Sequence, residues 1–211
     1  MAEPDTRKTA KALAELGHRL YARGWALGTS GNFSAVVSRR PLRLAITASG
    51  HDKRTLRPSQ ILTVDADGKA VGRGGRPSAE TLLHVTIARA RGAGAIVHTH
   101  SVHSTVLSDV HGDAGGFPIH GYEMLKGLDG VTSHDHQEWV PILENDQDMS
   151  RLAKVLERTL ADHPRAHAVL LRRHGLYTWG ATLAEAERHV EILEFLFETL
   201  SRRSRYDERN G

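Results

Sequence analysis

Apolar residues recur along this chain at two spacings, and the two spacings predict an alternation of helices and strands. Leu13, Leu16, Gly17 and Leu20 fall on one face at helical spacing, which predicts a helix over Thr6 to Arg23 that Gly24 can stop. Phe33 to Ser38 reads as a strand, and Leu42 to Thr47 alternates as a half-buried strand beyond a turn at Arg39-Arg40-Pro41. Ile61 to Val64 is a further strand, with Asp67-Gly68 as the hairpin turn before Lys69-Ala70-Val71. Val71 to Arg76 is a flexible surface loop by composition. A helix then opens at Pro77-Ser78, with Ser78 as N-cap and Glu80 in the first turn, and Gly92 closes it. Ala95, Ile96 and Val97 begin a short apolar strand, and Ser101 to Val110 is helical.

The second half repeats the alternation. Phe117 to Leu128 is a short strand running into a short helix or turn. Trp139 to Leu143 is a strand in which Pro141 points to an edge position, because proline cannot donate to a ladder. Met149, Leu152, Leu156 and Leu160 define a helix capped by Asp148 or Ser150 and ended before Pro164. Ala166 to Leu171 is another apolar strand, and Leu176 to Gly180 follows His174-Gly175. Thr182 and Glu185 fit a capping box that starts the longest helix, whose face carries Ala186, Val190, Leu193, Phe197 and Leu200. The basic end at Arg202 to Arg205 reads as a solvated, fraying terminus. No repeat, linker or composition break interrupts the chain. One domain over residues 1–211 is expected, with a core of about 6–200 and loose ends at 1–5 and 204–211.

Composition narrows the function. The 211 residues carry a net charge of only +3, with the basic residues scattered until the tail, which argues against a nucleic-acid partner. No run approaches the ~18–20 apolar residues of a membrane span. The first residues lack the regions of a signal peptide, so a cytoplasmic protein is expected. Cysteine is absent, which leaves His, Asp and Glu as metal ligands.

His98 and His100 flank Thr99 at the end of a strand. Alternate side chains of a strand share a face, so the two imidazoles can take one ion between them, although 14 histidines also make a surface pair an ordinary event. His174, at a strand end beside Gly175, is a plausible third ligand. A second His-x-His, His134-Asp135-His136, lies in a polar loop and is the weaker ligand set. His84 reads as structural or solvated. Two loops rich in small hydroxyl and amide residues, Gly28-Thr29-Ser30-Gly31-Asn32 and Thr47-Ala48-Ser49-Gly50, stand at strand ends and suit either an anion pocket or ordinary turns. Glu80 is a dipole complement or a carboxylate at the mouth of a site. Glu123, among apolar neighbours, is either a carboxyl raised by its setting or, more simply, a surface group paired with Lys126.

Taken together, Gly31-Asn32-Phe33-Ser34, Ile46-Thr47-Ala48-Ser49-Gly50, Pro77-Ser78-Ala79-Glu80, His98-Thr99-His100 and His174-Gly175 resemble the class II aldolase/adducin family, over about Leu13 to Leu200. The resemblance implies an α/β fold: a single domain with a central mixed, mostly antiparallel β-sheet covered by helices in three layers. Gly121 to Gly127, Asn145 to Asp148 and Arg173 to Gly180 are similar to those members that dehydrate 5-methylthioribulose 1-phosphate to 5-methylthio-2,3-dioxopentyl phosphate in methionine salvage. It further implies one zinc ion per subunit on His98, His100 and His174, acid–base catalysis by Glu123 with Glu80 as the secondary candidate, and a phosphate pocket of Thr29, Asn32, Ser49, Gly50 and Ser78. Ala79 replaces a serine of several aldolases, which leaves one phosphate contact in doubt. Trp139, Tyr177 and Trp179 are the aromatic candidates for a methylthio pocket. A homotetramer with sites near subunit boundaries is expected, acting on a small sugar phosphate. A sugar-phosphate aldolase or epimerase shares most of these residues; a non-catalytic interaction module of the adducin kind lacks the three histidines.

Overall fold

The computed structural model describes residues 6–72 and 75–210, so Arg73 and Gly74 of the predicted surface loop lie outside the described residues. Among the described residues, five α-helices and eight strands follow the order α1 (Thr6–Ala22), β1 (Asn32–Arg39), β2 (Leu42–Thr47), β3 (Ile61–Val64), α2 (Thr81–Arg91), β4 (Ala95–Thr99), α3 (Val102–Val110), β5 (Gly116–Ile119), β6 (Glu138–Leu143), α4 (Met149–Asp162), β7 (Ala168–Leu171), β8 (Gly175–Gly180) and α5 (Leu183–Asn210). The strands form one sheet in the order β3-β2-β1-β4-β8-β7-β6-β5. Every neighbouring pair is antiparallel except β6 and β7.

Helices cover both faces, giving the three layers expected. On one face Leu13, Leu16 and Leu20 of α1, Leu107 of α3 and Val190, Leu193 and Phe197 of α5 close over Phe33, Val97 and Leu176. On the other, Leu83, Val85 and Ile87 of α2 and Leu152, Leu156 and Leu160 of α4 close over Ile46, Ile96 and Val169. β4 is buried along its whole length between these layers, which explains its continuous apolar run. No helix among the described residues is long and apolar enough to cross a membrane.

Several sequence expectations are corrected in detail. α2 begins at Thr81, so Glu80 stands just before the helix and not in its first turn. Ser78 does not cap the helix; its hydroxyl accepts from the Glu80 N–H at 3.3 Å and ties down the preceding turn. β6 is not an edge strand. Its first half pairs with β5 and its last residues with β7, and Pro141 falls opposite Gly116 where the partner changes. α5 runs on to Asn210.

Candidate active site

The register of the sheet builds the site. Asn32 on β1 and Tyr177 on β8 flank His98 on β4 in one row across three strands. Just beyond β4, the His100 N–H donates to the Trp25 carbonyl at 2.8 Å, which anchors the strand end. His174 comes from the turn between β7 and β8. Its predecessor Arg173 holds a left-handed φ of +56°, uncommon for a side-chain-bearing residue, and is pinned there by its N–H to Ser108 Oγ (2.9 Å) and its guanidinium to Asp109 (2.7 Å). Gly175 must be glycine, because a Cβ there would lie 2.1 Å from the Thr99 carbonyl oxygen. Close approach of β8 to β4 is what brings His174 to the pair.

The three rings meet with centroids 4.6 Å (His98–His100), 5.1 Å (His98–His174) and 4.6 Å (His100–His174) apart. His98 Nδ1 donates to the Leu176 carbonyl at 2.9 Å, and His174 Nδ1 faces Asn145 Oδ1 at 3.3 Å. A proton on each Nδ1 leaves the Nε2 lone pairs directed inward, which is how outer hydrogen bonds set metal-ligand tautomers. Burial, with the neighbouring imidazoles, pushes His100 down to about 3, so it is neutral and able to coordinate. Glu80 completes the group, with Oε1 3.1 Å from His174 Nε2 and Oε2 3.5 Å from His98 Nε2. Burial raises its carboxyl, but the facing His174 and His98 rings and the hydrogen bond from the Asn32 amide outweigh that and hold it well below the usual carboxylate range. The donor atoms of Glu80, His98, His100 and His174 all lie within 4.8 Å of one another. Three imidazole nitrogens and an ionised carboxylate, oriented by carbonyl partners, fit a zinc-class divalent ion.

Beside this cluster is a pocket of about 120 Å³ lined by Thr29, Asn32, Ser49, Gly50 and Ser78, together with Glu80, His100 and Lys53. The structure thus brings the five phosphate candidates together against the histidines. Gly31 allows the approach: its φ is +73°, and a Cβ would lie 2.8 Å from the His98 carbonyl oxygen. Asn32 joins the two halves, donating from Nδ2 to Glu80 Oε2 at 2.6 Å. His84, fully buried, meets Asn32 Oδ1 through Nε2 and Ser34 Oγ through Nδ1 at 2.8 Å, so of its two expected roles it takes the structural one.

Lys53 and Asn145 were not singled out from the sequence as site residues in their own right. Lys53 donates to the carbonyls of Thr29 (3.1 Å) and His51 (2.9 Å), and burial lowers its ammonium to about 8. A lysine four residues beyond Ser49 was the available signal.

The profile described as Class II Aldolase and Adducin N-terminal domain matches residues 11–201. The chain belongs to this family. It is 44% identical over 187 residues to the methylthioribulose-1-phosphate dehydratase of Pseudomonas syringae pv. syringae, covering 88% of this chain and 90% of that protein. It is also 44% identical over 203 residues to the protein of the same name from Methylococcus capsulatus, covering 96% and 97% of the two chains. YgbL from Klebsiella pneumoniae superposes with a TM-score of 0.79 at 26% identity, covering 94% of this chain and 91% of that one. An L-fuculose 1-phosphate aldolase does so with a TM-score of 0.78 at 24% identity, covering 97% and 89%, a likeness of fold.

In this class II aldolase domain, Glu123 takes the plainer of the two settings expected of it, a surface group paired with Lys126. It opens a 3₁₀ turn (Glu123–Gly127), with its side chain 72% exposed and 2.7 Å from Lys126. The Lys126 ammonium holds its carboxyl below the ordinary value. Its other charged neighbour is His134 at 3.7 Å, and it is not part of the histidine cluster of its own chain. Of the aromatic candidates, Tyr177 lies against His98, whereas Trp179 lines a cavity towards the other end of the strands and Trp139 stacks near His163.

Proposed function

We propose that this protein is a zinc-dependent hydro-lyase that converts 5-methylthioribulose 1-phosphate to 5-methylthio-2,3-dioxopentyl phosphate, as a cytoplasmic homotetramer in methionine salvage. The observation that carries the proposal is the adjacency of the Glu80–His98–His100–His174 cluster to a small pocket of hydroxyls, amides and one lysine. A sugar phosphate seated with its phosphate among Thr29, Asn32, Ser49, Gly50, Ser78 and Lys53 presents its carbonyl end to the histidines. Near-full-length similarity to methylthioribulose-1-phosphate dehydratases supports this substrate over those of the aldolases.

The site divides its labour. His98, His100 and His174 hold one zinc ion. When bound, it supplies Lewis-acid polarisation of the substrate's C2 carbonyl, which acidifies the C3 proton. Glu80, ionised and held by Asn32, would stand beside these ligands as the secondary acid–base candidate. The proton from C3 is taken by the carboxylate of Glu123, which returns it to the departing C4 hydroxyl; the enol then tautomerises to the diketone with net loss of one water. Since Glu123 is exposed and apart from its own histidines, it serves the site of an adjoining subunit.

Glu123→Gln tests that division. The variant is expected to keep its fold and its zinc while losing ~10²–10⁴-fold in rate. Mixed oligomers of Glu123→Gln and His98→Ala subunits should regain activity, because one intact site can form between them. Full turnover in Glu123→Gln, with loss in Glu80→Gln, would move the acid–base role to Glu80.

A further inference from the structure

A second group of metal-type donors lies at the opposite end of the strands. Glu138 starts β6 and His167 precedes β7, and these strands run parallel, so both residues stand at the end remote from the β7–β8 turn that carries His174. Glu138 is buried, 1% exposed. Its Oε1 accepts the His167 N–H at 2.8 Å, which fixes the carboxylate. Its Oε2 faces two imidazoles, His136 Nε2 at 2.9 Å and His167 Nδ1 at 3.0 Å. All three donor atoms lie within 4.8 Å of one another.

The surroundings orient this triad as they orient the first one. His167 Nε2 donates to the Asp129 carbonyl at 2.9 Å, which aims Nδ1 at Glu138. The same peptide segment is held from the other side, where the Asp129 N–H donates to His189 Nε2 at 3.1 Å and His189 Nδ1 donates to the Trp179 carbonyl at 2.7 Å. A carbonyl on the far nitrogen of a ligating imidazole is the usual outer support of a metal site.

Charge completes the case. A carboxylate this buried needs a positive partner. A proton on His167 is one such partner, and it would need Glu138 and His167 alone. A second imidazole, His136, converges on the same oxygen from the loop His134-Asp135-His136, which offers a cation two nitrogens beside one carboxylate. His136 and His167 also line a cavity of about 480 Å³, with Asp129, His189, Arg91 and Arg165 on its walls. Two imidazoles and one carboxylate with an open side suit zinc, cobalt or iron(II). The arginines favour a carboxylate or phosphate oxygen at the open position.

We infer that His136, Glu138 and His167 form a second divalent transition-metal site, distinct from the Glu80–His98–His100–His174 cluster. It uses the His-x-His motif that the candidate active site leaves aside.

The experiment compares metal-stripped proteins re-equilibrated with Co²⁺, reading bound metal and visible absorption. A His98→Ala/His174→Ala protein is expected to retain one equivalent, and the addition of His136→Ala is expected to remove it. In the otherwise unchanged chain, His136→Ala alone should lower the bound metal by one equivalent, with folding checked by circular dichroism. A folded His98→Ala/His174→Ala protein that binds no Co²⁺ would overturn the inference. So would bound metal and a spectrum unaltered by His136→Ala in either background.

Discussion

Tyr177 lies flat against His98, with ring centroids 3.9 Å apart and planes 13° from parallel. Both are fully buried, and both come from paired positions of neighbouring strands. The stacked phenol and the Leu176 carbonyl fix the imidazole from two directions, leaving Nε2 facing His100 at 2.8 Å. The Tyr177 hydroxyl has no hydrogen-bond partner. Its contribution is the ring. Tyr177→Phe is therefore expected to match the parent in metal content and to melt at the same or a higher temperature, while Tyr177→Ala should cost ~3–5 kcal/mol and loosen the metal. Thermal melts and metal analysis of the two variants check this.

Lys53 supplies the cation of the phosphate pocket. Removing a charge-assisted hydrogen bond costs ~1.5–3 kcal/mol, so Lys53→Met is expected to raise KM about 10–100-fold, with a smaller effect on kcat. Because burial brings the ammonium down to about 8, the cation is present below that pH and lost above it. Inhibition by inorganic phosphate should weaken as pH rises through about 8 in the parent, and this inflection should be missing in Lys53→Met.

Glu194 gives a prediction for stability. It is buried under β4, accepts from Thr99 Oγ1 at 3.0 Å, and burial pushes its carboxyl up to about 7. The folded state thus holds a proton that an unfolded glutamate releases at ~4.3. The contribution is complete below that value and is lost as pH rises through about 7. Glu194→Gln, which imitates the protonated form, should melt like the parent at pH 4 to 5 and at a higher temperature than the parent at pH 8. Equal shifts at both ends would contradict it.

Gly175→Ala tests the contact that delivers His174. The added methyl meets the Thr99 carbonyl oxygen, which is backbone and cannot swing aside. Overpacking of ~1–3 kcal/mol or more is expected, together with reduced metal content in the protein that remains folded. Calorimetry with metal analysis reads both.

Periodicity carried the fold well. Leu13, Leu16, Gly17 and Leu20 are all buried on α1, and the run of β4 is buried on both faces. The corrections come where a local rule met a change of partner. Pro141 is tolerated away from the edge because β6 exchanges β5 for β7 there. Glu123 was open to two readings from its neighbours, and the surface one holds because on a 3₁₀ turn adjacent side chains diverge, so Leu125 enters the core while Glu123 and Met124 face out. His98, His100 and the small-residue loops were legible as motifs. Asn145 was legible only as part of the Asn145–Asp148 motif and Lys53 only by its nearness to Ser49, since the role of each depends on contacts with distant residues.

The most direct measurement of the central claim is the product formed from 5-methylthioribulose 1-phosphate by zinc-loaded protein, followed by NMR. The expected result is the 2,3-diketone phosphate with loss of one water, abolished together with zinc binding in His98→Ala. Retro-aldol fragments, or no product from protein carrying stoichiometric zinc, would contradict it.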